Sequence, residues 1–175
     1  MKKLLMVASG MLLAASFSYG QSSNTATATL SVAVGQEAAI AVNSTSPFVS
    51  GGIFQPYTAT TSLTYWIRTS SGGSGGTISL QVTSDFSGSG GPSVTNPVTA
   101  GDALTYLNTV SAPGTPVSGP LTASTGASTG VATFPSDVQS TKSGNSASTA
   151  WTLTNDPAYK AGSYSATVTY TISAT

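Results

Sequence analysis

The sequence predicts an all-β fold, an antiparallel β-sandwich of immunoglobulin-like type with about seven or eight strands. Apolar and hydroxyl-bearing residues alternate in several short runs, which is the pattern of strands with one buried and one solvated face. Segments rich in glycine, proline and serine separate these runs, and beyond residue 20 no helical apolar spacing persists for two turns. A jelly roll is the alternative arrangement of such strands.

Composition limits the functions open to the chain. Only 6% of its 175 residues are charged, while serine and threonine together make up about a third. Beyond residue 20, three basic residues stand against five acidic ones, a net charge of −2, so binding to nucleic acid or to an anionic membrane surface is disfavoured. With neither cysteine nor histidine, the chain lacks a thiolate, an imidazole base and a Cys/His metal site.

The first twenty residues have the pattern of a secretory signal peptide. Lys2 and Lys3 precede an apolar run, and Ser18 and Gly20 put small residues at the −3 and −1 positions of a cleavage site. The apolar run is too short for a transmembrane anchor. We therefore expect residues 1–20 to be removed, and residues 21–175 to form one domain in the periplasm, on the cell surface or in the medium, with no membrane segment.

Residues 21–34 contain the first alternating run. One face of the strand predicted over residues 25–34 carries Ala26, Ala28, Leu30, Val32 and Val34. This run serves either as an ordinary first strand of the domain or as a donor strand that pairs with an edge of a neighbouring copy. The sequence leaves both alternatives open.

The next strand is predicted over residues 38–42, whose continuous apolar residues suit a buried strand. Residues 44–61 follow as a loop, broken by prolines and glycines. We expect its apolar side chains to plug one end of the core, and these are Phe48, Ile53, Phe54 and Tyr57.

Residues 62–85 predict a β-hairpin. Both arms alternate, and the glycine-rich segment 71–76 between them supplies the positive φ angles of a hairpin turn. Trp66 then falls on the solvent face beside Arg68, and it is the one exposed aromatic residue that the pattern predicts. The predicted inward residues of the hairpin are Leu63, Tyr65, Ile67, Ile78, Leu80 and Val82.

Three further strands follow. In residues 103–110, Leu104 and Tyr106 lie on one side and Leu107 on the other. Residues 131–134 predict an edge strand because a proline follows. In residues 149–154 the inward side chains are Trp151 and Leu153. The segments 86–101 and 111–130 are predicted as loops of unassigned role.

The final strand is the most regular. Apolar residues occupy every second position of residues 164–172, and serine or threonine fills each gap. We expect this strand to have strand neighbours and an opposing sheet, and to be central to stability.

No catalytic, cofactor or metal site is predicted, and the protein is not expected to be an enzyme. Lys142 and Lys160 are the only candidate bases for a serine nucleophile, and neither lies in a Ser-x-x-Lys motif. The carboxylates each flank a turn signal, where aspartate ordinarily caps the turn. They are Glu37, Asp85, Asp102, Asp137 and Asp156.

Two stretches resemble bacterial surface proteins. The ending from Gly162 through Tyr164 to Ile172 is similar to the Gly-x-Tyr strand that closes chaperone–usher pilins and spore-coat-U-like secreted proteins, and residues 25–34 resemble a pilin N-terminal extension. In pilins this extension fills a groove of the next subunit, so the resemblance implies self-association and a periplasmic pilus chaperone as partner. A second similarity is to WxL cell-wall-binding domains, through Trp151-Thr-Leu, with Tyr170-Thr-Ile in place of the second Trp-x-Leu.

Two classes of function therefore remain. The favoured one is a pilin-like structural subunit of a fimbrium or surface coat that associates through strand edges, with residues 25–34 as the binding segment. The alternative is a monomeric adhesin or module that binds a cell-wall polymer or glycan through Trp66. Size in solution discriminates between them, because only the first predicts oligomers.

Overall fold

The structure is a computed structural model that describes residues 26–95 and 102–175. The predicted signal peptide, residues 1–20, lies outside this range. The chain divides into two units, Met1–Ala33 and Val34–Thr175. In the first unit, residues 26–33 form no strand and are exposed. The strand predicted over residues 25–34 is therefore not formed in the described part of that segment.

The second unit is built from antiparallel strands, and the part of the chain that the structure describes contains no helix. Its strands are β1 (Glu37–Thr45), β2 (Val49–Ser50), β3 (Tyr57–Arg68), β4 (Gly76–Ser84), β5 (Leu104–Val110), β6 (Thr115–Pro116), β7 (Leu121–Thr122), β8 (Thr129–Phe134), β9 (Asn145–Leu153) and β10 (Thr167–Ala174). Over the same residues, no helix has the length and apolar character needed to cross a membrane.

The strands form two sheets that enclose one core. The first sheet has the order β1-β3-β9-β5-β7, with β2 also paired to β3, and the second has the order β10-β4-β8-β6. Buried side chains from both sheets pack in a single cluster. The rings of Tyr65 in the first sheet and Phe134 in the second lie 5.1 Å apart, a favourable tilted contact across the core. The predicted all-β fold of antiparallel sheets is thus confirmed.

Alternation sets the buried face of each strand. The inward residues predicted for β3, β4, β5 and β9 are buried, whereas Leu107 on the opposite side of β5 is 53% exposed. Trp151 also donates a hydrogen bond from its indole nitrogen to the hydroxyl of Thr61, so its one polar group is satisfied inside the core.

The predicted hairpin over residues 62–85 is wrong. β3 pairs with β1 and β9, whereas β4 pairs with β10 and β8, so residues 69–75 carry the chain from one sheet to the other. Both arms have an apolar face directed toward the same core. This pattern fits two strands that face each other across the core as well as it fits two strands that pair within one sheet. The connection is close-packed: a Cβ on Gly75, whose φ is 93°, would lie 2.0 Å from a carbonyl oxygen.

Three other positions differ from expectation. β10 is an edge strand with β4 as its one strand neighbour, and β1, predicted as buried, is an edge strand that is largely exposed. β8, predicted as an edge, lies between β4 and the two-residue β6. An apolar run or a regular alternation indicates whether a face of a strand is suited to burial. It does not indicate which strand pairs with it.

The two ends of the domain differ in composition. We call one the aromatic end, and it comprises residues 46–56, 85–95 and 154–166. We call the other the glycine end, and it comprises residues 69–75, 111–114 and 135–144. β1 runs from the glycine end to the aromatic end, and β10 runs in the reverse direction.

Candidate strand-binding groove

A groove opens where the edge strands of the two sheets face each other. Its cavity of about 500 Å³ is lined by Val42 and Thr45 of β1 and by Val168 and Tyr170 of β10. Neither edge has a further strand partner among the described residues, so backbone N–H and C=O groups of both edges are free for pairing. We call this cavity the β1/β10 groove.

The walls of the groove are apolar and incompletely covered. Val42 is 55% exposed, and the inward residues of β10 are each only partly buried. Leu104 and Trp151, which belong to the core, reach the floor. The groove is therefore an opening into the core rather than a hollow on the surface.

The floor also carries hydroxyl groups. Thr61 accepts a hydrogen bond from the Trp151 indole nitrogen at 3.0 Å, and its hydroxyl lies 3.3 Å from that of Thr45. Within residues 26–95 and 102–175, the buried hydroxyls of Tyr170 and Thr149 have no hydrogen-bond partner of good geometry. Burial raises the pKa of Tyr170, although the nearby hydroxyls of Thr149 and Thr61 act in the opposite direction.

An ion pair fixes the start of β1. Arg68 at the end of β3 forms a salt bridge with Glu37, with Nη2 and Oε2 2.8 Å apart. The same guanidinium donates from Nε to the carbonyl oxygen of Gly35 at 2.6 Å. Glu37 and Arg68 are also paired in the sheet, so the backbone at residues 35–37 is held in register with β3.

The predicted binding segment is exposed. Leu30 is 95% and Val32 84% exposed, and Ala26, Ala28 and Val34 are exposed as well. An alternating run with large apolar side chains on one face is suited to burial of that face. Here those side chains are in contact with water instead.

Trp66 lies on the outer face of the first sheet, as predicted, and is 36% exposed. It lines a hollow of about 440 Å³ together with Arg68, Glu37 and Gln139. The ring packs so closely over Gly144 that a Cβ there would lie 2.7 Å from it.

The apolar loop residues at the aromatic end differ from the prediction. Phe48, Ile53 and Phe54 do not plug the core as expected, because Ile53 is 88% and Phe54 60% exposed, while Tyr57 alone of that set packs against the core. Behind them lies a cavity of about 370 Å³ that adjoins the groove through Phe48. The signal was visible in the sequence, since apolar residues within a Pro/Gly-rich loop have no periodicity that would bury them.

The carboxylates at this end have structural roles. Asp85 accepts hydrogen bonds from the backbone of Phe86 and Val94, and its second oxygen accepts one from the hydroxyl of Ser93 at 2.6 Å. Asp102 accepts a hydrogen bond from the Tyr159 hydroxyl. These contacts tie loops together, as the turn-flanking positions of these residues predict.

In the part of the chain that the structure describes, no three His, Cys, Asp or Glu side chains are grouped so as to hold a metal ion. Comparison of the chain with protein-family models, with curated proteins and with solved structures finds no match.

Proposed function

We propose that this protein is an exported, pilin-like structural subunit in which residues 25–34 of one copy fill the β1/β10 groove of the next. The observation that carries the proposal is the groove itself, an apolar opening between two unpaired strand edges. The same chain holds an exposed segment whose alternation suits it to the role of the missing strand.

The exchange has a clear driving force. Leu30, Val32 and Val34 would each contribute about 1.5–3 kcal/mol on full burial, and the small Ala26 and Ala28 would contribute less. Backbone hydrogen bonds to the free edges add to this. We also assign the two sheets to the immunoglobulin-like class of β-sandwich, an arrangement supported by the antiparallel pairing and the shared core.

Strand register favours exchange between copies over folding back within one copy. Ala38, Ile40 and Val42 of β1 lie opposite the buried Ile67, Tyr65 and Leu63, so Ala39 and Ala41 face outward. A hairpin closed by the two residues Gly35 and Gln36 would place Val32 opposite Ala39 and Leu30 opposite Ala41.

That hairpin turns the apolar face of the segment away from the core. A loop one residue longer would correct the face, but either Val34 would then leave the strand, with residues 34–36 in the loop, or Glu37 would leave its pairing and its salt bridge with Arg68, with residues 35–37 in the loop. The segment therefore reaches a core more readily in a neighbouring copy.

The test compares two charged variants of the full chain that differ only in the face they alter. We expect Leu30→Asp with Val32→Asp to abolish self-association measured by sedimentation velocity, because two carboxylates would enter an apolar groove. Thr29→Asp with Ser31→Asp adds the same charge to the opposite face and should leave association within a few fold of the unmodified chain.

A synthetic peptide of residues 25–35 should also compete with assembly, whereas the peptide with Asp at positions 30 and 32 should not. A chain that stays monomeric at every concentration, or two variants that associate equally well, would overturn the proposal.

The hollow beside Trp66 favours a second candidate, a glycan-binding module. An exposed indole beside an ion pair and an amide offers stacking together with hydrogen bonds to sugar hydroxyls. Because Trp151 is buried, a bound wall polysaccharide should change the fluorescence of Trp66 alone, and Trp66→Phe should remove the change. Unchanged fluorescence at saturating polysaccharide would exclude this candidate.

A further inference from the structure

Aromatic rings line the cavity of about 370 Å³ at the aromatic end, which we call the aromatic cavity. Its volume lies within the range of small-molecule sites, about 300–1,000 Å³. The rings come from three separate parts of the chain, so only the folded domain brings them together. They are Phe48, Phe54, Tyr57, Phe86, Tyr159 and Tyr164.

Hydrogen bonds and close packing hold two of these rings in place. The Tyr159 hydroxyl donates to the carboxylate of Asp102, and the Tyr164 hydroxyl donates to the carbonyl oxygen of Lys160 at 2.8 Å. The Tyr164 ring also lies so close to Gly91 that a Cβ there would have no room. Because these walls are already fixed, a bound molecule would not have to order them.

Phe54 contributes its ring from an unusual backbone conformation. Its φ of 50° is left-handed, which bulky residues rarely adopt. Its ring lines the cavity and yet is largely exposed, so burial does not compensate for the strain. Strained residues of this kind cluster at ligand-binding sites.

The net charge of the domain is concentrated around the cavity. Asp85, Asp102 and Asp156 lie at or beside the aromatic end, and Lys160 is the basic residue there, which gives a net charge of −2. The other four charged residues beyond residue 20 cancel. They are Glu37, Arg68, Asp137 and Lys142.

This negative charge acts on the lining of the cavity. Burial, and after it the carboxylates of Asp102 and Asp156, raises the pKa of Tyr159. Carboxylates that oppose a negative charge at this hydroxyl stabilise a positive charge nearby. Lys160 acts in the opposite direction, but it is exposed and its stem packs on Gly90, where a Cβ would lie 2.7 Å from the lysine Cδ. Its ammonium is therefore screened by water.

We propose that the aromatic cavity binds a methylated ammonium group, such as the head of choline. The faces of aromatic rings attract cations, and several rings together form the cages that hold quaternary ammonium groups. The methyl groups of such a cation suit apolar walls, while Asp156 in the lining supplies the opposite charge. The inference goes beyond strand exchange and does not depend on it, because the whole lining belongs to one copy.

A pair of ligands of equal shape tests whether charge is recognised. The full chain is titrated in a calorimeter with choline and with dimethylbutanol, the neutral isostere in which carbon replaces the ammonium nitrogen. We expect choline to bind at least about fivefold more tightly, because only the cation is attracted to ring faces and carboxylates. Equal binding of the two compounds, or binding of neither, would overturn the proposal.

Two matched pairs of variants locate the site. Phe54→Ala should weaken choline binding by at least about threefold, whereas Ile53→Ala, next to it and more exposed but not in the lining, should not. Asp156→Asn should also weaken binding, and its side-chain oxygen can still accept the hydrogen bond from the backbone of Ala158. Asp137→Asn makes the same change in net charge at the glycine end and should have no effect.

Lys160→Gln gives a change of opposite sign. Removal of a positive charge from the rim should strengthen choline binding, whereas a site for an anion would be weakened by it. Melting temperatures show whether each variant is folded. Lining variants that are folded and bind choline as well as their controls would refute the site.

Two further titrations identify the source of the group and separate this inference from strand exchange. Binding to phosphatidylcholine vesicles that free choline competes away would assign the group to a lipid headgroup, with phosphatidylglycerol vesicles as control. Binding of free choline alone would assign it to a soluble compound. The variant with Leu30→Asp and Val32→Asp should bind choline as the full chain does, and loss of binding in that variant would contradict a cavity formed within one copy. A chain that assembles but does not bind choline would refute this inference and leave strand exchange in place.

Discussion

Phe54 shows how a single residue can be held in a costly conformation. Its left-handed backbone costs roughly 1–2 kcal/mol for a residue with a Cβ, and its ring, 60% exposed, recovers little of this by burial. Such strain persists only where the surrounding structure enforces it.

Replacing Phe54 with asparagine should therefore stabilise the isolated domain. Asparagine tolerates the left-handed region, so we expect an increase of about 0.5–1 kcal/mol in the free energy of unfolding, measured by urea denaturation. Ile53→Asn is the control, because its φ is not positive and it should give no gain. A destabilised Phe54→Asn variant would show that the ring makes a contact that matters within the monomer.

The raised pKa values of three tyrosines predict how the free energy of unfolding depends on pH. Burial raises the pKa of Tyr106 and of Tyr170, and burial together with the Asp102 carboxylate raises that of Tyr159. The folded state thus keeps these protons to higher pH than the unfolded chain. This stabilisation is complete below the ordinary tyrosine pKa of about 10 and is lost as pH rises above it.

We expect the melting temperature to fall steeply above about pH 10. Tyr159→Phe should make that fall shallower, because its ring remains while its ionisable group is removed. A melting temperature that stays level to pH 12 would contradict the role assigned to these hydroxyls.

At the scale of elements, β4 is an interior strand of the second sheet, whereas β10 lies at its edge. β4 lies between β10 and β8 and buries Ile78, Leu80 and Val82, whereas β10 covers its apolar face only in part. Regular alternation in β10 shows that its apolar face is suited to burial. In the monomer the side chains on that face are only partly buried.

A pair of truncations measures this difference. Leu80→Ala should cost about 2–5 kcal/mol, the range for a buried leucine. Ile172→Ala on β10 should cost roughly half as much in the monomer, because its side chain is already partly in water. Both can be measured by thermal unfolding at a concentration where the chain is monomeric. Equal costs would place Ile172 in the core.

The faces of the strands could be predicted from sequence, but their neighbours could not. Leu104, Tyr106, Trp151 and Leu153 point inward as their alternation indicates, because a period of two fixes the face. Leu63 and Leu80 could lie on strands paired in one sheet or on strands that face each other across the core. The choice depends on contacts with strands distant in sequence, so the hairpin was wrongly predicted. Of the groove, the alternating segment was predictable from sequence, while the opening between β1 and β10 follows from tertiary pairing alone.

For the molecule as a whole, strand exchange links stability to concentration. A segment that binds only the folded domain raises its stability by about 2.7 kcal/mol when present at one hundred times its dissociation constant. We expect the melting temperature of the full chain to rise with protein concentration, and that of the variant with Leu30→Asp and Val32→Asp to stay constant. Differential scanning calorimetry over a hundredfold concentration range tests this, and equal slopes would argue against exchange.

The place of β3 between β1 and β9 has a consequence during synthesis. Thr61 in β3 and Trp151 in β9, which are bonded in the core, are 90 residues apart in the chain. As the polypeptide emerges, β3 therefore presents an open edge and an apolar face long before β9 exists to cover them. Non-local pairing of this kind folds slowly and leaves nascent chains prone to pair with one another. The growing chain is thus vulnerable at a strand that has neighbours on both edges in the folded domain.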